Sequence, residues 1–208
     1  MKYLIFDFDG TLANSIKALI TAWNTIAQKY QLKELEFKDI AVLKKLSLTE
    51  RSKFLNLPLH KVPVILPQFY QLYHQSLQHI HLFDGIKEVL LELEQKGYHI
   101  VIISSHAKDT ILAFLNINGI QCVAEVLCSN PFAGKDKVLK KFLKAASMPS
   151  SDILYIGDEL RDIIACQKAG IPIIWVAWGY DAKEAIQHIA PDYQAAAPRD
   201  ILTIIDNA

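Results

Sequence analysis

Apolar residues along the chain alternate between short unbroken runs and longer stretches with helical spacing. Tyr3-Leu4-Ile5-Phe6 is an apolar run closed by Asp7-Phe8-Asp9-Gly10. It predicts a buried strand that stops at an Asp-Gly turn. Ile16–Tyr30 repeats its apolar residues three and four apart, which predicts an amphipathic helix with Ser15 placed to cap it. Across residues 35–81 further amphipathic stretches are broken at Pro58, Pro63 and Pro67, without a strand pattern. This segment reads as a helical block inserted after the first strand.

From Phe83-Asp84-Gly85 the rhythm changes. Residues 86–96 predict a helix closed by Gly97, and 99–103 a strand running into Ser104-Ser105. Residues 109–118 predict a helix ending at Gly119, and Val123–Cys128 a strand. A Lys-rich helix follows over 136–146. Residues 153–156 read as a strand ending at Gly157-Asp158, 161–169 as a helix ending at Gly170, and 173–177 as the last strand. Strands alternating with helices imply parallel βαβ units, buried on both faces. The expected fold class is α/β, a Rossmann-like parallel sheet with helices on both faces and an inserted all-helical cap. Residues 1–14 and 83–208 would form the core, and 15–82 the cap.

The 208 residues suit one domain with an insert, and 51% hydrophobic residues argue against disorder. Acidic and basic residues balance, 22 against 22, so no global field gathers nucleic acid or anionic membrane. Cys122, Cys128 and Cys166 are odd in number and lack metal-site spacing, as expected of free thiols in a reducing cytoplasm. The apolar N-terminal stretch stops at Asp7, too short for a signal peptide core. No run reaches the roughly 18 apolar residues of a spanning helix. The expectation is a soluble, cytoplasmic protein without nucleic-acid or membrane partners.

In a parallel sheet the ligand crevice lies beyond the carboxyl ends of the strands. The predicted strand ends bring Asp7 and Asp9, then Ser104, then Asp158, Glu159 and Asp162 to that edge, with Lys135 just ahead of a helix. Asp7 and Asp9 are two apart and leave extended backbone on one face. Carboxylates that close repel. Either a hard cation such as Mg²⁺ offsets the repulsion or one carboxylate stays protonated. Both cases give a carboxylate nucleophile beside a neighbour able to exchange a proton. Asp158 and Asp162, four apart at a helix start, could approach the same cation, one of them through water. Taken singly, these features also read as an Asx-turn, a helix-capping acid, a turn serine and a surface lysine. Their order at successive element ends carries the functional reading.

Asp7-Phe8-Asp9-Gly10-Thr11-Leu12 resembles the first motif of the haloacid dehalogenase (HAD) superfamily. Ile103-Ser104-Ser105 is similar to its second motif, Gly134-Lys135 to its lysine-bearing third, and Gly157-Asp158-Glu159-Leu160-Arg161-Asp162 to its fourth. Lys137 competes with Lys135, which is preferred because Gly134 precedes it. Phe83-Asp84-Gly85 stands where members often carry Phe-Pro-Gly, and Trp178-Gly179 resembles the phosphoglycolate phosphatase-like branch. The resemblance implies that Asp7 attacks a phosphoryl group to form an aspartyl-phosphate. Asp9 would be general acid and then base. Mg²⁺ would be held by the carboxylates of Asp7 and Asp158 and the backbone carbonyl of Asp9, with Asp162 supporting through water. Ser104 and Lys135 would stabilise the transferring group, and Thr11 and Ser105 are candidate substrate contacts. Glu159 reads as an outer-shell residue.

By resemblance, dehalogenases lack an acid at the position of Asp9, since halide leaves without a proton. A Mg²⁺-dependent phosphatase acting on a small phosphorylated metabolite is therefore expected. Phosphoglycolate is the first substrate to try. A sugar phosphomutase of the same superfamily is the alternative. A receiver-type phospho-switch and a non-catalytic binding protein are remoter alternatives. A receiver carries its acidic pair on the first strand and its acceptor on a later one, and lacks the helical insert. In the cap, Trp23, Arg51, Lys53, Tyr70, Tyr73 and His74 are candidates to read the substrate.

Overall fold

The computed structural model describes residues 2–76, 80–129 and 134–207, apart from the side chains of Leu48 and His74. The first apolar run is strand β1 (Tyr3–Phe6), followed by the short β2 (Ala13–Asn14). Helices α1 (Ile16–Tyr30), α2 (Phe37–Leu43), α3 (Leu48–Phe54) and α4 (Val62–Gln75) then run to the short β3 (His81–Leu82). The rest alternates: α5 (Ile86–Gln95), β4 (His99–Ser104), α6 (Lys108–Ile117), β5 (Val123–Cys128), α7 (Lys135–Ala146), β6 (Ile153–Gly157), α8 (Leu160–Ala169) and β7 (Ile173–Val176). β8 (Tyr193–Ala195) and α9 (Asp200–Asn207) end the described chain.

Six strands form a parallel sheet in the order β5-β4-β1-β6-β7-β8. β1 lies between β4 and β6, where strand order reverses, so the crevice at the switch point opens over its carboxyl end. Side chains alternate across the pleat. Leu4, Phe6, Ile100, Ile102, Leu154 and Ile156 pack beneath α5, α6 and α9. Ile5, Val101, Ile103, Ile153, Tyr155 and Ile173 pack beneath α7 and α8. Burial on both faces is why these strands are apolar throughout.

The chain leaves and rejoins the sheet region through the antiparallel pair β2–β3, Ala13 opposite Leu82 and Asn14 opposite His81. Between them the helical block has its own core of Ile20, Trp23, Ile26, Ala27, Leu35 and Ile65. No helix among the described residues is long and apolar enough to cross a membrane. The three cysteines are free; Cys122 and Cys166 are buried and Cys128 is exposed.

Several expectations need correction. Pro67 does not break a helix; α4 runs through it. Proline inside the helix forfeits the backbone bond to the preceding turn, while Ile65 and Tyr73 of the same helix gain burial. Ser15 precedes α1 but makes no side-chain capping bond; its hydroxyl is engaged with Asp9. The two-residue ribbon strands, β8 and α9 were not foreseen. Tyr193 and Gln194 in β8 are exposed, so this three-residue edge strand carries no apolar run.

Candidate active site

β1 delivers Asp7 to the sheet edge, where its own N–H bonds the carbonyl of Ile156 on β6 at 2.9 Å. The Asp7 carboxylate is buried; Oδ1 accepts the N–H of Phe8 at 2.8 Å and Oδ2 accepts from Lys135 Nζ at 2.9 Å. Lys135 opens α7 and also donates to Asp162 Oδ1. Asp162 is fixed by a reciprocal capping box at the start of α8, where its Oδ2 accepts the N–H of Glu159 at 3.2 Å. Lys137, the competing lysine, follows two residues into α7 and makes neither contact.

Asp158 is fully buried. Its Oδ1 accepts from Thr11 Oγ1 at 2.8 Å and its Oδ2 from the N–H of Tyr180 at 2.6 Å. Two glycines make room for it. A Cβ on Gly10, at φ +79, would lie 2.2 Å from Asp158 Oδ2, and one on Gly179 would lie 2.1 Å from Asp158 Cβ. Gly10 also adopts a backbone conformation that side chains resist. The glycines of Asp-Gly and Trp-Gly are thus explained by the carboxylate between them.

Asp7, Asp158 and Asp162 each offer an oxygen within 4.8 Å of the others. Burial raises the pKa of Asp7 to about 7, with Lys135 opposing and Asp162 adding to the rise. Asp158 is pushed well above the usual carboxylate range by burial and by Glu159, Asp7 and Asp162. Burial works against the Lys135 ammonium, yet Asp162 and Asp7 raise its pKa, so it stays charged. Buried carboxylates, outnumbering one ammonium and supplying only hard oxygen donors, suit a divalent cation of the Mg²⁺ type.

Asp9 has separate surroundings. Its Oδ1 accepts from Ser15 Oγ at 2.8 Å and Tyr73 Oη at 2.5 Å, and its Oδ2 lies 3.1 Å from His106 Nδ1. Burial disfavours its charge, but hydrogen bonding and charge from His106, with hydrogen bonds from Tyr73 and Ser15, bring the pKa below the usual value. Tyr180 Oη meets Ser15 Oγ at 2.5 Å. Ser104, at the end of β4, is buried; its Oγ accepts the N–H of His106 at 3.0 Å, leaving its own hydrogen to donate. Ser105 interacts with Tyr70 of α4.

The helical block reaches the sheet edge at other points. Arg51 pairs with Asp181, whose Oδ2 accepts the N–H of Leu160 at the start of α8 at 2.7 Å. The N–H of Ala182 bonds the carbonyl of Lys44 at 2.9 Å, and Lys45 pairs with Glu184 at 2.8 Å. Trp23 instead faces its own block, donating to the carbonyl of Lys33. The sequence pattern did not single out His106, Tyr180, Asp181 or Lys44. Isolated residues in loops carry no periodicity, and their roles arise only when separate segments meet. The His74 side chain lies outside the described ones.

A parallel sheet with an inserted helical block, and three buried aspartates clustered with one lysine at its switch point, is the arrangement of an enzyme with its site at the sheet edge. The family described as haloacid dehalogenase-like hydrolase matches residues 4–176, and the chain belongs to it. It is 25% identical over 206 residues to a phosphoglycolate phosphatase of Synechococcus elongatus, covering 99% of this chain and 97% of that one. It is 26% identical over 210 residues to the pyrophosphatase PpaX of Listeria innocua, covering 97% and 95%. A haloacid dehalogenase-like hydrolase structure from Streptococcus pneumoniae superposes with a TM-score of 0.83 at 22% identity, over 99% of this chain and 98% of that one. The protein is an enzyme, a hydrolase of this family.

Proposed function

We propose that the enzyme is a Mg²⁺-dependent phosphatase that hydrolyses a small phosphomonoester through an aspartyl-phosphate on Asp7. The observation that carries this reading is the division of labour between the two acids of the first motif. Asp7 is bound to Lys135 among the other carboxylates, and Asp9 is held apart by Ser15, Tyr73 and His106. Mg²⁺, bound by Asp7 and Asp158 with Asp162 behind them, would neutralise charge on the transferring phosphoryl group. Asp7 attacks phosphorus in line, and Lys135 stabilises both its carboxylate and the phosphoryl oxygens. Ser104 donates its hydroxyl to one of those oxygens. Asp9 gives a proton to the leaving alkoxide and then takes one from the water that hydrolyses the intermediate. A phosphate dianion beside it raises the proton affinity of Asp9, which favours the first of these steps. Thr11 orients Asp158.

Residues 15–82 serve as a cap that excludes water during the reaction. Lys44 of this block is half-buried within electrostatic reach of Asp158 and Asp181. Burial depresses its pKa, and Asp158 and Asp181 pull the other way. An ammonium there suits a substrate with a second anionic group. Phosphoglycolate, named in the Synechococcus relative, and pyrophosphate, named in the Listeria relative, both have one. Free thiols suit a reducing cytoplasm. The test is phosphate release from a panel of small phosphomonoesters and pyrophosphate, with Mg²⁺ and with excess chelator. Metal-dependent release from a small dianionic substrate is expected. Full activity in chelator would contradict the site.

A further inference from the structure

Asp9 is held by more than the first motif, and its two oxygens are held differently. Oδ1 receives two donors, the Ser15 hydroxyl at 2.8 Å and the Tyr73 phenol at 2.5 Å. Burial and Asp9 keep Tyr73 protonated, so it remains a donor. Each carboxylate oxygen offers two lone pairs, so Oδ1 is saturated. Oδ2 has His106 Nδ1 at 3.1 Å, which leaves it one lone pair. On the acid–base reading of Asp9, Oδ2 is the oxygen left with room for the proton, and the imidazole lies against that oxygen.

His106 is built to hold one orientation. It is buried, its backbone N–H is donated to Ser104 Oγ at 3.0 Å, and its ring lies edge-on to Phe8 at 5.5 Å and to Tyr73 at 5.0 Å. The strand-end loop, the first motif and α4 thus converge on one ring. We propose that His106 is a positioning residue for this reaction, fixing Asp9 Oδ2 toward the leaving-group oxygen. The proposal rests on the acid–base reading of Asp9. In the first step the bond from Asp7 to phosphorus forms as the phosphorus–alkoxide bond breaks, and the Oδ2 proton passes to the alkoxide. In the second, water bonds to phosphorus, the bond to Asp7 breaks, and Oδ2 takes the water's proton. His106 exchanges no proton with substrate. It donates Nδ1–H to Oδ2 while the other lone pair does the chemistry.

Positioning predicts a loss that depends on the leaving group, which a merely structural role would not give. Rapid-mixing kinetics with Mg²⁺ would follow the phosphorylation step with phosphoglycolate, a poor alkoxide leaving group, and with p-nitrophenyl phosphate, a good one. His106→Leu should lose about 10–100-fold on the alkyl ester, within the about 10²–10⁴-fold that general acid–base help supplies, and less than about threefold in the nitrophenolate burst. His106→Asn places an amide nitrogen near the Nδ1 position and should recover most of the loss. Should His106→Leu not fold, His106→Gln replaces it, because its amide nitrogen falls at the other ring position. Equal losses on both substrates, or no loss on either, would overturn the proposal. So would an asparagine variant no better than leucine. Asp9→Asn measured alongside tells the two ideas apart. If it discriminates between the esters and the His106 variants do not, the fault lies with His106 alone. If Asp9→Asn does not discriminate, the acid–base reading fails and the His106 proposal falls with it.

Discussion

Lys135 sets one ammonium between Asp7 and Asp162, all three buried. Removing one partner of a buried ion cluster leaves charge without compensation. Lys135→Met should therefore lower the unfolding free energy in urea by up to about 3–5 kcal/mol, reduced to the extent that Asp7 takes up a proton. A change below about 1 kcal/mol would mean that the ammonium does not balance the cluster. Gly179 makes a finer test. Its missing Cβ is room for Asp158, so Gly179→Ala should fold but lose the thermal shift given by Mg²⁺. An unchanged shift would show that Asp158 does not hold the metal. Residues at this scale were legible where a motif fixed their spacing. Asp7, Asp9, Ser104, Lys135, Asp158 and Asp162 all come to the edge predicted for them. His106 was not legible, because its partner Asp9 lies 97 positions away and a lone histidine after two serines forms no pattern.

Among elements, the loop between α2 and α3, together with α3 itself, is joined to the segment after β7 by Lys45–Glu184 and the Ala182–Lys44 backbone bond from the loop and by Arg51–Asp181 from α3. Asp181 also holds the N–H of Leu160, so the position of the helical block is linked to the start of α8, which carries Asp162. A hydrogen-bonded charge pair that is partly buried contributes about 1.5–3 kcal/mol. If that energy favours the closed arrangement, Arg51→Ala should raise KM about tenfold or more, since 1.4 kcal/mol is tenfold, with a smaller change in kcat. Faster amide exchange around residues 44–51 and 181–184 should accompany it. Unaltered KM and exchange would remove the clamp. The core elements were legible because strands buried on both faces must be apolar throughout, and glycines at positive φ close α5 and α8 as their sequences imply. β2 and β3 have two residues each, too few for any period. Pro67 misled because propensity is local, whereas the burial that keeps α4 continuous is tertiary.

For the whole molecule, the site joins residues 7 to 162 across three strand ends, so a cation bound there favours the folded chain over the unfolded one. At a Mg²⁺ concentration about 100 times Kd the gain is about 2.7 kcal/mol. For a chain of this length that corresponds to a rise in Tm of roughly 5–11 °C, at about 2–4 °C per kcal/mol. Asp158→Asn should abolish the rise, and an unchanged rise in that variant would place the metal elsewhere. The central claim is covalent catalysis by Asp7, and it can be read directly. The enzyme with Mg²⁺ is mixed with p-nitrophenyl phosphate, quenched in acid during turnover and reduced with borohydride, which converts an acyl phosphate to the alcohol. Peptide mass spectrometry then reads each carboxylate. Homoserine in place of Asp7, absent without substrate and enriched in Asp9→Asn, is the predicted result. Steady turnover with Asp7 unmodified, or reduction at another carboxylate, would contradict it.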